Sequence, residues 1–78
     1  MKYIRHKSKG FFLFPANGDE HPWHKHMADF VGRDGIVSAG FVEFEKGVPS
    51  CCGRSESLRM SSLEEDSAIL RKQMGLSV

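Results

Sequence analysis

The run Phe11-Phe12-Leu13-Phe14 decides how this chain has to be built. Side chains alternate along a strand, so Phe11 and Leu13 point to one face of a sheet and Phe12 and Phe14 to the other. A sheet covered on one side needs only one apolar face per strand. This strand needs cover on both. A chain of 78 residues can meet that need in two ways: helices lie on both faces of the sheet, or a second subunit or partner protein completes the burial.

Outward from that run, Lys2 to His6 is a second extended segment, and Lys7-Ser8-Lys9-Gly10 has the length and the glycine of a hairpin loop. On the other side, Pro15-Ala16-Asn17-Gly18-Asp19 is turn-rich. A first helix is predicted from Pro22, because proline suits the first helical position. Trp23, Met27, Phe30 and Val31 form its apolar stripe, Asp19 and Glu20 favour its positive end, and Gly32 stops it.

The second half repeats the pattern. Ile36 to Ala39 is apolar or small, and Phe41-Val42-Glu43-Phe44-Glu45 alternates, so a deeply covered strand becomes half exposed at its end. Glu45-Lys46-Gly47 fits a three-residue loop. That register sets Phe44 against Val48, Val42 against Ser50 and Gly40 against Cys52, which turns Cys52 inward and leaves Cys51 beside Phe41. Ser62-Leu63-Glu64-Glu65 reads as a capping box for a second helix, with Arg71 and Lys72 near its negative end and Gly75 as its stop. Leu63, Ile69, Leu70 and Met74 supply its apolar face. The expectation is a single α+β domain over residues 1–78: two hairpins in one mainly antiparallel sheet with two helices, in the order ββαββα.

Composition is that of an ordinary soluble globular chain, 40% hydrophobic and 27% charged. The core of so short a chain rarely supplies more than about 3–5 kcal/mol, for which self-association into a homodimer is a common remedy. The basic start (Lys2, Arg5, Lys7, Lys9) is followed by an apolar run that ends at Pro15, too short for a secretory leader. No stretch approaches the roughly 20 apolar residues of a membrane helix. A cytoplasmic protein with two reduced thiols is expected.

Residues with chemical potential are few. His21, His24, Cys51 and Cys52 are the candidate zinc ligands, but on a helix His24 and His26 diverge by about 200°, and adjacent cysteines diverge on a strand. Solvated or capping histidines, and no metal or other cofactor, is the expectation. A nucleophilic cysteine would need a helix N-terminus or imidazole beside it, which a strand interior does not offer. No serine–histidine–acid order or glycine-rich phosphate loop is present.

Two groups of residues could bind. Gly53-Arg54-Ser55-Glu56-Ser57 leaves a strand with a guanidinium, two hydroxyls and backbone N–H groups suited to a phosphate or carboxylate, and Arg59 follows. Lys2, Arg5, Lys7 and Lys9, interleaved with Tyr3, Phe11 and Phe12, are the pattern of a nucleic-acid-binding hairpin. Net charge of only +1 argues against a nucleic-acid partner.

Ser38-Ala39-Gly40-Phe41-Val42, then Cys52-Gly53-Arg54-Ser55-Glu56-Ser57-Leu58 and an acidic-start helix ending Gln73-Met74-Gly75-Leu76, resembles small accessory proteins of tailed phages and prophages over residues 36–76. The resemblance implies no active site. It implies a non-enzymatic protein that binds one host protein stoichiometrically, inhibition of a host defence system being one form of that action. Docking is then expected through an apolar patch flanked by Arg54, Arg59 and the N-terminal basic residues. The alternatives are a nucleic-acid-binding module and a zinc-stabilised domain.

Overall fold

A computed structural model describes residues 1–15 and 24–76. It is an α+β protein. The elements are β1 (Lys2–His6), β2 (Gly10–Phe14), α1 (His24–Val31), β3 (Ile36–Glu45), β4 (Val48–Cys52), β5 (Arg54–Ser55), β6 (Met60–Ser61) and α2 (Asp66–Gln73). The first four strands form one antiparallel sheet in the order β2-β1-β3-β4, and β5 and β6 form a separate small hairpin. The order is thus ββαββββα, with one hairpin more than the sequence pattern suggested. No helix among the described residues is long and apolar enough to cross a membrane.

Cover comes from within the chain, on both faces. Neighbouring residues of the central strand β1 face opposite ways, and Tyr3 and Ile4 are both fully buried. Ile4 joins Phe14, Ala28, Ile36 and Ala39 under α1, with Met27, Leu58 and Met60 against them. Tyr3 joins Val42 and Leu70 under α2, with Phe11, Leu13 and Cys51 alongside. The apolar run therefore divides as alternation requires, with Phe11 and Leu13 on the α2 face and Phe14 on the α1 face; Phe14 is buried and Phe11, Phe12 and Leu13 are half buried.

Helix α2 does three jobs through three i,i+4 rows. Asp66 and Leu70 point down into the core and are buried. Ser67 and Arg71 reach the outer edge of β4: Ser67 Oγ accepts the Cys51 N–H at 2.8 Å, and Arg71 Nε donates to the Pro49 carbonyl at 2.8 Å. Ile69 and Gln73 stand beside the β1–β2 turn. The helix starts later than the capping box predicted. Glu65 makes no side-chain cap; Asp66 instead reaches back to accept the Leu63 N–H at 2.9 Å. Glu65 turns toward Arg5, 3.7 Å away. Asp66 is the acid that burial selects, because Tyr3 and Arg5 wait for it beneath the helix.

Helix α1 is also rotated from expectation. The start near Pro22, and Trp23 of the predicted stripe, lie outside the described residues. The buried row is His24, Ala28 and Val31, while Phe30 is 80% exposed. Ala28 lets the helix approach the sheet closely, and the His24 ring sits edge-on to both Phe14 and Phe41.

The β3–β4 hairpin corrects the predicted register by one residue. Glu45 opposes Val48, Val42 opposes Cys51 and Phe41 opposes Cys52. The loop is the two residues Lys46 and Gly47, both left-handed at φ 53° and 81°. Such a turn matches the strand twist better than the three-residue loop, and Gly47 makes it accessible. Cys51, not Cys52, consequently joins Val42 on the α2 face. At the far end of this pairing the chain crosses close to β3: a Cβ on Gly40 would lie 2.6 Å from the Cys52 carbonyl oxygen, a backbone atom that cannot step aside.

Gly40→Ala is therefore expected to destabilise the protein by about 1–3 kcal/mol through overpacking, read as a fall in melting temperature. A midpoint within about 2 °C of wild type would show that the strands are not held this closely.

Candidate functional site

Each sequence-selected residue has a definite place, and most are already engaged. On the β5–β6 hairpin Ser55 is buried, its hydroxyl accepting the Leu58 N–H at 3.2 Å and lying 3.4 Å from Ser57 Oγ. It organises the turn rather than facing a ligand. Arg54 is exposed and 3.6 Å from Glu56. Arg59 is exposed with φ 54°, a left-handed conformation uncommon outside glycine. These residues form an exposed polar hairpin, with Ser55 as its internal brace.

The basic residues of the first hairpin have more varied fates. Lys2 is largely buried. Arg5 has its Nε 2.9 Å from Asp66 Oδ1, while that N–H is directed at Ser38 Oγ, 3.3 Å away. Lys9 donates from Nζ to the Val31 carbonyl at 2.8 Å, placing its charge at the negative end of α1. Lys7 is exposed. Arg5, Lys7 and Lys9 are among the residues around a depression of about 340 Å³ between the β1–β2 turn and the Ile69–Gln73 row of α2, but the Lys9 ammonium turns to the end of α1 and the Lys7 stem lies by Gly35.

His6, which the sequence placed within the basic–aromatic pattern of this hairpin, builds its turn. Its Nδ1 accepts the N–H groups of Ser8 at 3.1 Å and Lys9 at 3.2 Å. Nε2 therefore carries the hydrogen and donates to the Asp34 carbonyl at 2.9 Å. The only sequence signal was its position at the last residue before a short loop.

The zinc candidates are dispersed. His21 lies outside the described residues. His24 is neither solvated nor a cap: it is buried and 2.8 Å from the Gly40 carbonyl through Nε2. It shares the α1 face with Cys52, whereas Cys51 lies on the α2 face. Among the described residues no three His, Cys, Asp or Glu side chains could hold a metal ion together. Burial, with Asp66 nearby, pushes the Cys51 thiol up to about 11, so little of it is thiolate near neutrality. Burial and the Asp66 hydrogen bond push the Tyr3 hydroxyl up as well.

Burial, with the charge of Lys2 nearby, holds His24 below its usual value of 6.5. Its neutral form is the one that fits. As pH falls, the unfolded chain takes up this proton before the folded one does. The contribution of His24 to stability is thus complete above about pH 6.5 and is lost as pH drops below it. Urea unfolding between about pH 7 and pH 5 is expected to show wild type losing more stability than His24→Gln, which keeps a donor for Gly40 but does not titrate. Equal losses would contradict this account of the ring.

No protein-family model matches the chain, and no curated protein or solved structure matches it either.

Proposed function

We propose that this chain is a non-enzymatic binding protein of the phage or prophage accessory kind, acting by stoichiometric contact with a host protein. The observation that carries this reading is the contrast between the two edges of the sheet. Exposed sheet edges recruit other strands unless proline, charge or a covering element blocks them. The β4 edge is blocked three times over, by Pro49 within the strand, by Arg71 on the Pro49 carbonyl and by Ser67 on the Cys51 N–H. Among the described residues the β2 edge has none of these. Among the described residues β2 pairs with β1 alone, its five residues carry no charge, and Phe11, Phe12 and Leu13 are only half buried. An extended segment of a partner would add to β2 by backbone hydrogen bonds, with its side chains lying against the aromatics on either face.

The state of the interior supports the same reading. Tyr3, His24 and Asp66 are buried and Cys51 is partly buried, so the side chains best equipped for chemistry are held in core contacts. Arg54 and Arg59 remain exposed and are the charges expected to favour an acidic partner surface.

Phe12→Lys places a charge on the edge with a stem long enough to stay against the sheet. Host-protein capture at one-to-one stoichiometry is expected from wild type, with slowed amide exchange at Gly10–Phe14 in the complex, and loss of capture from the folded variant. Undiminished capture by Phe12→Lys, with no slowing at β2, would reject this edge as the contact. Self-association that the same substitution abolishes would make the recruit a second copy instead.

A further inference from the structure

We infer that His6 is a proton-operated latch between the β1–β2 turn and the α1–β3 loop, holding the turn when neutral and releasing it when charged. The ring is more than nine-tenths buried, at 7% exposure. Its two nitrogens hold different segments. Nε2–H donates to the Asp34 carbonyl at 2.9 Å, while Nδ1 accepts the N–H groups of Ser8 at 3.1 Å and Lys9 at 3.2 Å. The loop is shaped around the ring. A Cβ on Gly35 would stand 2.7 Å from Nε2, and Gly35, at φ 97°, leaves that space to the imidazole. The Lys7 N–H, on the Gly35 carbonyl at 2.7 Å, ties turn and loop together a second time.

A proton can enter this arrangement at one atom. Nε2 already carries hydrogen, so an added proton goes to Nδ1 and turns the acceptor of two amides into a donor. Ser8 and Lys9 N–H then lose their acceptor. The Ser8 hydroxyl oxygen, 3.2 Å from Nδ1, is the group at hand to take the new N–H. The ring thus has two bonded states. When neutral, Nδ1 holds both amides; when charged, Nδ1–H turns to Ser8 Oγ and both amides are released. The Asp34 bond is common to the two states, so the ring stays in place while the turn moves.

The charged groups around the ring come from each element packed on it. In the turn, Lys9 Nζ reaches the Val31 carbonyl at 2.8 Å, and the Lys7 stem lies against Gly35. In the loop, Arg33 pairs with Asp29 of α1 at 2.6 Å, and Asp34 is exposed. On β1, Arg5 faces the other way, toward Asp66 and Glu65. From α2 the turn meets Ile69 and Gln73, both uncharged. Opening the turn lets the Lys7 and Lys9 ammonium groups move off from a charged ring. Gly10, the first residue of β2, is the ladder partner of His6, so the latch sets where the hairpin begins to pair. The inference concerns the hairpin itself and does not depend on what binds β2.

The test follows the whole chain by NMR from about pH 8 to about pH 5, the span in which imidazoles change charge. Ring nitrogen shifts report which nitrogen carries hydrogen. Amide exchange, corrected for the intrinsic rate at each pH, reports the turn. At the upper end His6 is expected in the Nε2–H form, with the Ser8 and Lys9 amides protected. As the ring charges, their protection should fall at least about tenfold at the same midpoint, a local opening in which Tyr3 and Ile4 stay protected. His6→Asn should hold both amides at either pH, because its side-chain oxygen replaces Nδ1 as acceptor and takes up no proton. His24→Gln should leave the response unchanged, which separates the latch from the other buried histidine. An Nδ1–H form at the upper end would overturn the inference, as would Ser8 and Lys9 amides that stay protected after His6 has charged. Loss of protection reaching Tyr3 and Ile4 at the same midpoint would also overturn it, since the whole sheet would then be unfolding. So would a His6→Asn variant whose turn still responds to pH.

Discussion

The buried carboxylate of Asp66 is the constraint on which the structure turns. It accepts a hydrogen bond from the Tyr3 hydroxyl, faces the Arg5 guanidinium and closes the first turn of α2 on the Leu63 N–H. A charge with no solvent exposure is costly unless it is paired and hydrogen-bonded. Here every partner comes either from the central strand or from the turn that starts the helix. The cost of leaving Asp66 unpaired therefore fixes where α2 lands. Once it has landed, Leu70 is over Val42, Ser67 and Arg71 reach the β4 edge, and Ile69 and Gln73 stand over the first turn.

Placement of that one helix explains why the molecule presents what it does. By closing the β4 edge it leaves β2, among the described residues, as the other edge of the sheet, paired with β1 alone.

Much of this was legible in the residues. Alternation along Phe11-Phe12-Leu13-Phe14 demanded two covered faces, and helices supply them. Both long hairpins and both helices follow from periodicity and turn residues. What escaped was set by tertiary partners. The capping pattern at Ser62 was sound locally, but Asp66 gained more by meeting Tyr3 and Arg5 than Glu65 did by reaching back. The turn at Lys46-Gly47 hinged on a lysine adopting a left-handed conformation, which residue preferences disfavour. His24 read as a surface histidine because a buried carbonyl partner on Gly40 leaves no local trace. The basic residues of the first hairpin were visible as charges, but their internal partners, Asp66 for Arg5 and the Val31 carbonyl for Lys9, are set by the tertiary fold.

A double-mutant cycle on Arg5→Met and Asp66→Leu addresses the central claim most directly. If Asp66 anchors α2 through charge to β1, the two substitutions are coupled by more than about 1.5 kcal/mol in urea unfolding. Effects that add within about 0.5 kcal/mol would mean the two side chains do not depend on each other, and that α2 is held by apolar contact alone.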